Sequence, residues 1–82
     1  MLYIVSDAQA VSSGLLPKDL IGNQESSVVL IEDAVTIKEF PGEAVYVLAE
    51  DAAVRKVTPV FPKVSYADMV KLIFEADRVV AL

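Results

Sequence analysis

Three short apolar runs along this chain end in the same way. "IVSDA" (Ile4–Ala8), "LIEDA" (Leu30–Ala34) and "LAEDA" (Leu48–Ala52) each pass from aliphatic residues to a carboxylate and then to an alanine. The residues that lead into them, Leu2–Val5, Val28–Ile31 and Val45–Leu48, are apolar at successive positions and rich in β-branched side chains. Alternation would mark a strand with one wet face; a short continuous run marks a strand covered on both faces, as in a parallel sheet. The intervals between the runs are long enough for crossovers, which take about a dozen residues. Neither contains the Asn-Gly or Asp-Gly pair of a tight hairpin.

Parallel strands finish at one edge, so Asp7, Asp33 and Asp51 are expected to share a rim, each where the chain leaves a strand. An Asp in that place can accept hydrogen bonds from the first-turn N–H groups of its own helix and offset their positive end, worth about 1 kcal/mol per cap. The alanine that follows is a good first helical residue. Structural punctuation thus accounts for all three copies without catalysis.

The crossovers differ in quality. The first carries Gly14, Pro17 and Gly22, which predict a short or broken helix and some loop. Ala34–Phe40 has room for about two turns before Pro41 and Gly42 stop it. Ala52–Lys56 allows little more than one turn. In "TPVFPKV", Pro59 and Pro62 each remove a backbone donor, so a fourth strand near Val60–Val64 must lie at the border of the sheet. Ser65 and Asp68 then have capping-box spacing, flanked by Val64 and Met69 as a hydrophobic staple. Tyr66, Met69, Val70, Ile73 and Phe74 recur at three- and four-residue intervals, a helical stripe expected to pack into the core. The tail "RVVAL" reads as a fifth short strand.

Composition changes this picture in one respect. A chain of 82 residues makes one small domain, and a core of that size supplies about 3 to 5 kcal/mol of net stability. With 55% hydrophobic residues but no cysteine and no histidine, neither disulfides nor a zinc site can supplement it. Burial against another chain is the expected supplement, hence an oligomer. The run "VVLI" falls far short of the roughly 20 residues of a membrane span. The start of the chain lacks the basic, long apolar pattern of a secretory signal, so a cytoplasmic protein is expected. The net charge of −5 leaves no basic stripe for phosphates, and Arg55, Lys56 and Lys63 read as a solvated edge; no direct nucleic-acid binding is expected.

The available chemistry is narrow. The commonest general base and the thiolate nucleophile are both missing. What remains is Glu32 with Asp33, Glu50 with Asp51, and Asp7. Acids gathered at the carboxyl edge of a sheet can hold Mg²⁺, as in a phospho-acceptor receiver domain. Such a domain resembles a longer chain with a lysine after its fifth strand, so a Mg²⁺-binding, receiver-like acid rim is only the lesser alternative. "SSG", Ser12–Gly14, has neither a base to activate a serine nor a Gly-x-x-x-x-Gly-Lys pattern, and reads as a polar turn. No enzyme activity, cofactor or metal is expected.

Taken in order, three stretches resemble the DsrH/TusB branch of the DsrE/DsrF/DsrH-like sulfur-relay superfamily. "VVLIEDAV" (Val28–Val35) is similar to that branch's apolar strand ending in Asp-Gly-Val or its like. "VYVLAEDAAVR" (Val45–Arg55) is similar to its Val-Tyr-x-Leu strand, Glu-Asp and following Arg. "VSYADMVKL" (Val64–Leu72) is similar to its Asp-Tyr-x-x-Phe-Val-x-Leu helix entry, and the opening Met1-Leu2 matches too. The resemblance implies a three-layer α/β/α sandwich with a five-stranded parallel sheet of order 4-3-2-1-5. It also implies a non-catalytic cytoplasmic subunit that joins DsrE/TusD-like and DsrF/TusC-like partners. Such assemblies pass persulfide sulfur toward 2-thiouridine at the tRNA wobble position or through sulfur metabolism, with the transferring cysteine chiefly on the DsrE/TusD-like chain.

The departures are specific. Leu15–Leu20 holds no cysteine where some members of that branch carry one, Ala34 stands in place of a usual glycine, and Leu82 stands without the tryptophan often found there. A persulfide needs a thiolate to form on, so this chain is expected to shape or gate a cysteine site on a partner. The candidate docking rim is Asp7, Leu15, Leu16, Asp33 and Asp51, its carboxylates tuning partner choice more than affinity. The alternative is self-association into a stand-alone homo-oligomeric interaction module with no relay role.

Overall fold

A computed structural model describes residues 1–9, 27–40 and 44–81. Within them run β1 (Leu2–Val5), β2 (Ser27–Leu30), a 3-10 turn (Glu32–Thr36), β3 (Ala44–Leu48), helix α1 (Ala49–Val54), β4 (Lys63–Val64), helix α2 (Tyr66–Glu75) and β5 (Val79–Ala81). The five strands form one sheet in the order β4-β3-β2-β1-β5. Every pairing is parallel, with Val5 beside Leu30 and Leu30 beside Val47 in register. The parallel α/β sheet with β4 at an edge is what the apolar runs and prolines predict, and the strand order is the one that the resemblance implies.

The continuous apolar runs are explained by burial on two faces. Tyr3, Val5, Val28, Leu30, Val45 and Val47 point to one side, where Ala34, Val35 and Ala52 of the strand-to-strand connections cover them. Leu2, Val29 and Leu48 point to the other side, under Met69 of α2. Each fully buried aliphatic side chain stabilises the fold by about 1.5 to 3 kcal/mol of transfer free energy before chain entropy is counted. Right-handed crossovers account for the layering. The steps from β2 to β3 to β4 run one way and the return from β4 past β1 to β5 runs the other, so α2 lies on the opposite face from the 3-10 turn and α1.

Several boundaries differ from the sequence reading. The second crossover is a 3-10 turn starting at Glu32, and Ile37 is already extended; three consecutive β-branched residues, Val35, Thr36 and Ile37, disfavour a longer α-helix. The third begins earlier than expected, at Ala49, because "AEDAAV" is helical throughout. Only Lys63 and Val64 make up β4, although the Pro62 carbonyl extends its contact by accepting the Val47 N–H at 2.9 Å. The readings on Gly14, Pro17, Gly22, Ser12–Gly14, Leu15, Leu16, Pro41 and Gly42 fall outside the described residues.

Helix α2 starts as its sequence requires. Asp68 N–H donates to Ser65 Oγ at 3.1 Å and Ser65 N–H donates back to Asp68 Oδ2 at 3.3 Å, the reciprocal capping box. Its expected core stripe, however, divides. Met69 is buried and Ile73 packs on the core beside Leu72 and Ala76, whereas Tyr66, Val70 and Phe74 face solvent. The helix is rotated toward Leu72 and Ala76, so the wider apolar arc of the sequence covers more than the sheet does.

Candidate functional site

The rim lies where β1, β2 and β3 end. Asp7 is exposed there, and its Oδ1 accepts the Gln9 N–H at 2.9 Å, a local turn bond; the helix that Asp7 is expected to cap falls outside the described residues. Asp33 and Asp51 behave differently. The N-cap positions of the 3-10 turn and of α1 are Ile31 and Leu48, strand-end residues whose apolar side chains make no cap hydrogen bond. The acids fall one to three residues later, inside the first turn, where a carboxylate offsets the positive helix end but is displaced from the capping place.

Their hydrogen bonds go instead to the neighbouring segments. Asp51 Oδ2 accepts the N–H of Glu32, first residue of the 3-10 turn, at 2.7 Å. Glu50 Oε1 accepts the N–H of Tyr66, first residue of α2, at 3.3 Å. Arg55 Nε donates to Asp33 Oδ1 at 3.0 Å, and the Asp33 carbonyl accepts the Thr36 hydroxyl. Adjacent strands stand about 4.8 Å apart, so the segments leaving them start within reach of one another's side chains. The two acids of α1 therefore cap the elements on either side of it, and Arg55 returns a bond to the first.

Glu32 carries the strain of this junction. Its φ is 51°, in the left-handed region that costs a non-glycine residue about 1 to 2 kcal/mol. The short charge-assisted bond from Asp51 holds that backbone N–H in place. Nothing in the sequence marks Glu32 as such a position, since no glycine stands there. Arg55, read from sequence as part of a solvated edge, is another member the local pattern missed; its partner is 22 residues away.

Asp33 and Asp51 are thus brought together through α1, and Asp7 stands on the adjacent strand's end with its own local bond. Leu15 and Leu16 lie outside the described residues. Among the described residues, no three acids converge as a metal site requires. Cavities of about 280 and 270 Å³ lie elsewhere. The first is at the opposite end of the sheet against Met1, Ser27 and Asp77, the second beside α2 against Tyr46 and Val64. At that opposite end the Met1 amino group sits 3.1 Å from Asp77 Oδ1, and its hydrogen bond and charge hold the Asp77 carboxyl below the usual carboxylate range. The rim is therefore a braced surface of bonded carboxylates. A scan against protein-family models and searches of curated proteins and of solved structures found no match.

Proposed function

We propose that this chain is a non-catalytic, DsrH/TusB-like subunit of a cytoplasmic sulfur-relay complex. It docks onto DsrE/TusD-like and DsrF/TusC-like chains and shapes or gates a persulfide-bearing cysteine on the former. The observation that carries this reading is the mutual bonding of the three stretches behind the resemblance. Val28–Val35 supplies β2 and the 3-10 turn, Val45–Arg55 supplies β3 and α1, and Val64–Leu72 supplies the entry to α2. Asp51, Arg55 and Glu50 tie all three together at one rim. The strand order 4-3-2-1-5 supports it further, being what the resemblance implies.

The chain's chemistry agrees with a structural part in the relay. It has no cysteine, and sulfane sulfur travels on thiolates. Among the described residues, no helix is long and apolar enough to cross a membrane. Asp7, Asp33 and Asp51, with Leu15 and Leu16, are the proposed docking rim, where like-charge repulsion would reject acidic partners. Co-purification tests the proposal. Tagged chain mixed with cysteine-bearing DsrE-like and DsrF-like proteins should retain both, and Asp33→Lys should weaken retention while the fold persists. Elution of the chain apart from both partners contradicts the proposal.

A further inference from the structure

On the α2 face of the sheet the outer strands lie about 19 Å apart, and a helix is about 10 Å across. Among the described residues α2 is the element packed there. Its two flanks differ. Asp68, Lys71 and Glu75 line a groove with Tyr46 and Val64, so the charged flank leans over β3 and β4. Tyr66, Val70 and Phe74, spaced four residues apart, lie on the other flank of the helix and are 58%, 39% and 84% exposed. Val79 of β5, in register with Leu2 and so on the α2 face of the sheet, is 40% exposed.

We infer that this flank is a self-association surface, on which α2 of a second copy lies antiparallel across a two-fold axis near Val70. A two-fold interface must be complementary to itself. The stripe has that property: an aromatic ring stands four residues to each side of a central valine, so Tyr66 of one copy meets Phe74 of the other. Charge favours the same face. The chain has net charge −5, so two copies repel over most of their surface, while Tyr66, Ala67, Val70, Ile73 and Phe74 are uncharged. Area is sufficient too. With about 150 to 250 Å² per aromatic side chain, the exposed stripe and Val79 offer roughly 400 Å² of apolar surface per copy. Doubled, that is about the apolar share of a 1,200 Å² interface, the lower end of specific protein–protein contacts. The inference is independent of the relay proposal, since it concerns the chain alone.

Light scattering on the isolated chain across a concentration series tests it, with no relay partner present. Twice the chain mass at high concentration is expected. Phe74→Ser should weaken the dimer about tenfold or more and leave circular dichroism unchanged, with thermal stability unchanged at concentrations where the chain is monomeric, because Phe74 buries little within one copy. The chain has no cysteine, so Val70→Cys gives a single reporter that should oxidise to a disulfide-linked dimer, whereas Glu75→Cys on the other flank should not. A monomer at every concentration overturns the inference, whatever else then covers the stripe. So does a dimer that Phe74→Ser leaves intact and Val70→Cys fails to cross-link.

Discussion

Replacing Asp51 by alanine removes the 2.7 Å bond to the Glu32 N–H without touching the core, because Asp51 is half-buried and Glu32 is exposed. Bonds to a charged group contribute about 1.5 to 3 kcal/mol when shielded; partial exposure places this one in the lower half of that range. Loss of a carboxylate from the first turn of α1 adds a few tenths of a kcal/mol, and the better helix propensity of alanine returns about 0.5 kcal/mol. The net loss is about 1 to 2 kcal/mol, which for a domain of this size lowers Tm by about 4 to 16 °C. The distinguishing assay is amide hydrogen exchange, read residue by residue. Glu32 is 19 positions away, yet its amide should exchange about tenfold faster for each 1.4 kcal/mol of lost local protection. Asp33→Ala, which breaks an exposed ion pair with Arg55 and removes a carboxylate from the first turn of the 3-10 segment, should cost about 0.2 to 1 kcal/mol and leave Glu32 protected. A full Tm loss in Asp51→Ala with unchanged Glu32 exchange would mean that the acid acts on its own helix and would refute the bridging account.

Three other perturbations follow from the geometry. Lys56 follows α1 with φ 56°, its N–H bonded to the Ala53 carbonyl and that of Val57 to Ala52 at 2.9 Å, the Schellman arrangement in which glycine is usual. Lys56→Gly should therefore raise stability by about 0.5 to 1 kcal/mol in urea denaturation; a loss would show that the lysine side chain has a compensating contact. Ser65→Ala removes half of the capping box and should cost about 0.5 to 2 kcal/mol by the same measurement, while an unchanged midpoint would count against that bond. The Met1 amino group lowers the Asp77 carboxyl pKa, so the pair's contribution is complete above the ordinary carboxylate value and lost as pH falls through the lowered one. Acetylating that amino group should return Asp77 toward its ordinary value in an NMR titration, and no change would remove the ion pair from the account.

How much of this was legible in the sequence depends on the range of the interaction. The parallel sheet with β4 at its border was, because continuous apolar runs require two covered faces and the prolines at Pro59 and Pro62 force β4 to an edge, while the full strand order came only from the resemblance. The capping box of α2 was, since both partners lie within three residues. The rim bonds of Asp51, Glu50 and Arg55 were not, because each spans 16 to 22 residues and depends on which strands become neighbours. The strain at Glu32 carried no glycine to announce it. The α2 stripe was legible as apolar but not as divided, since periodicity gives the width of an apolar arc and the sheet decides how much of it is covered.

The account's central claim is that the chain contributes surface to a relay and no sulfur chemistry. A cysteine-bearing DsrE-like partner loaded with radiolabelled sulfane sulfur, mixed with this chain and a DsrF-like chain and resolved first by size and then under denaturing, non-reducing conditions, tests it most directly. The account predicts co-elution, with the label confined to the partner's cysteine. Elution apart from the partners, or label covalently attached to this chain, would contradict it.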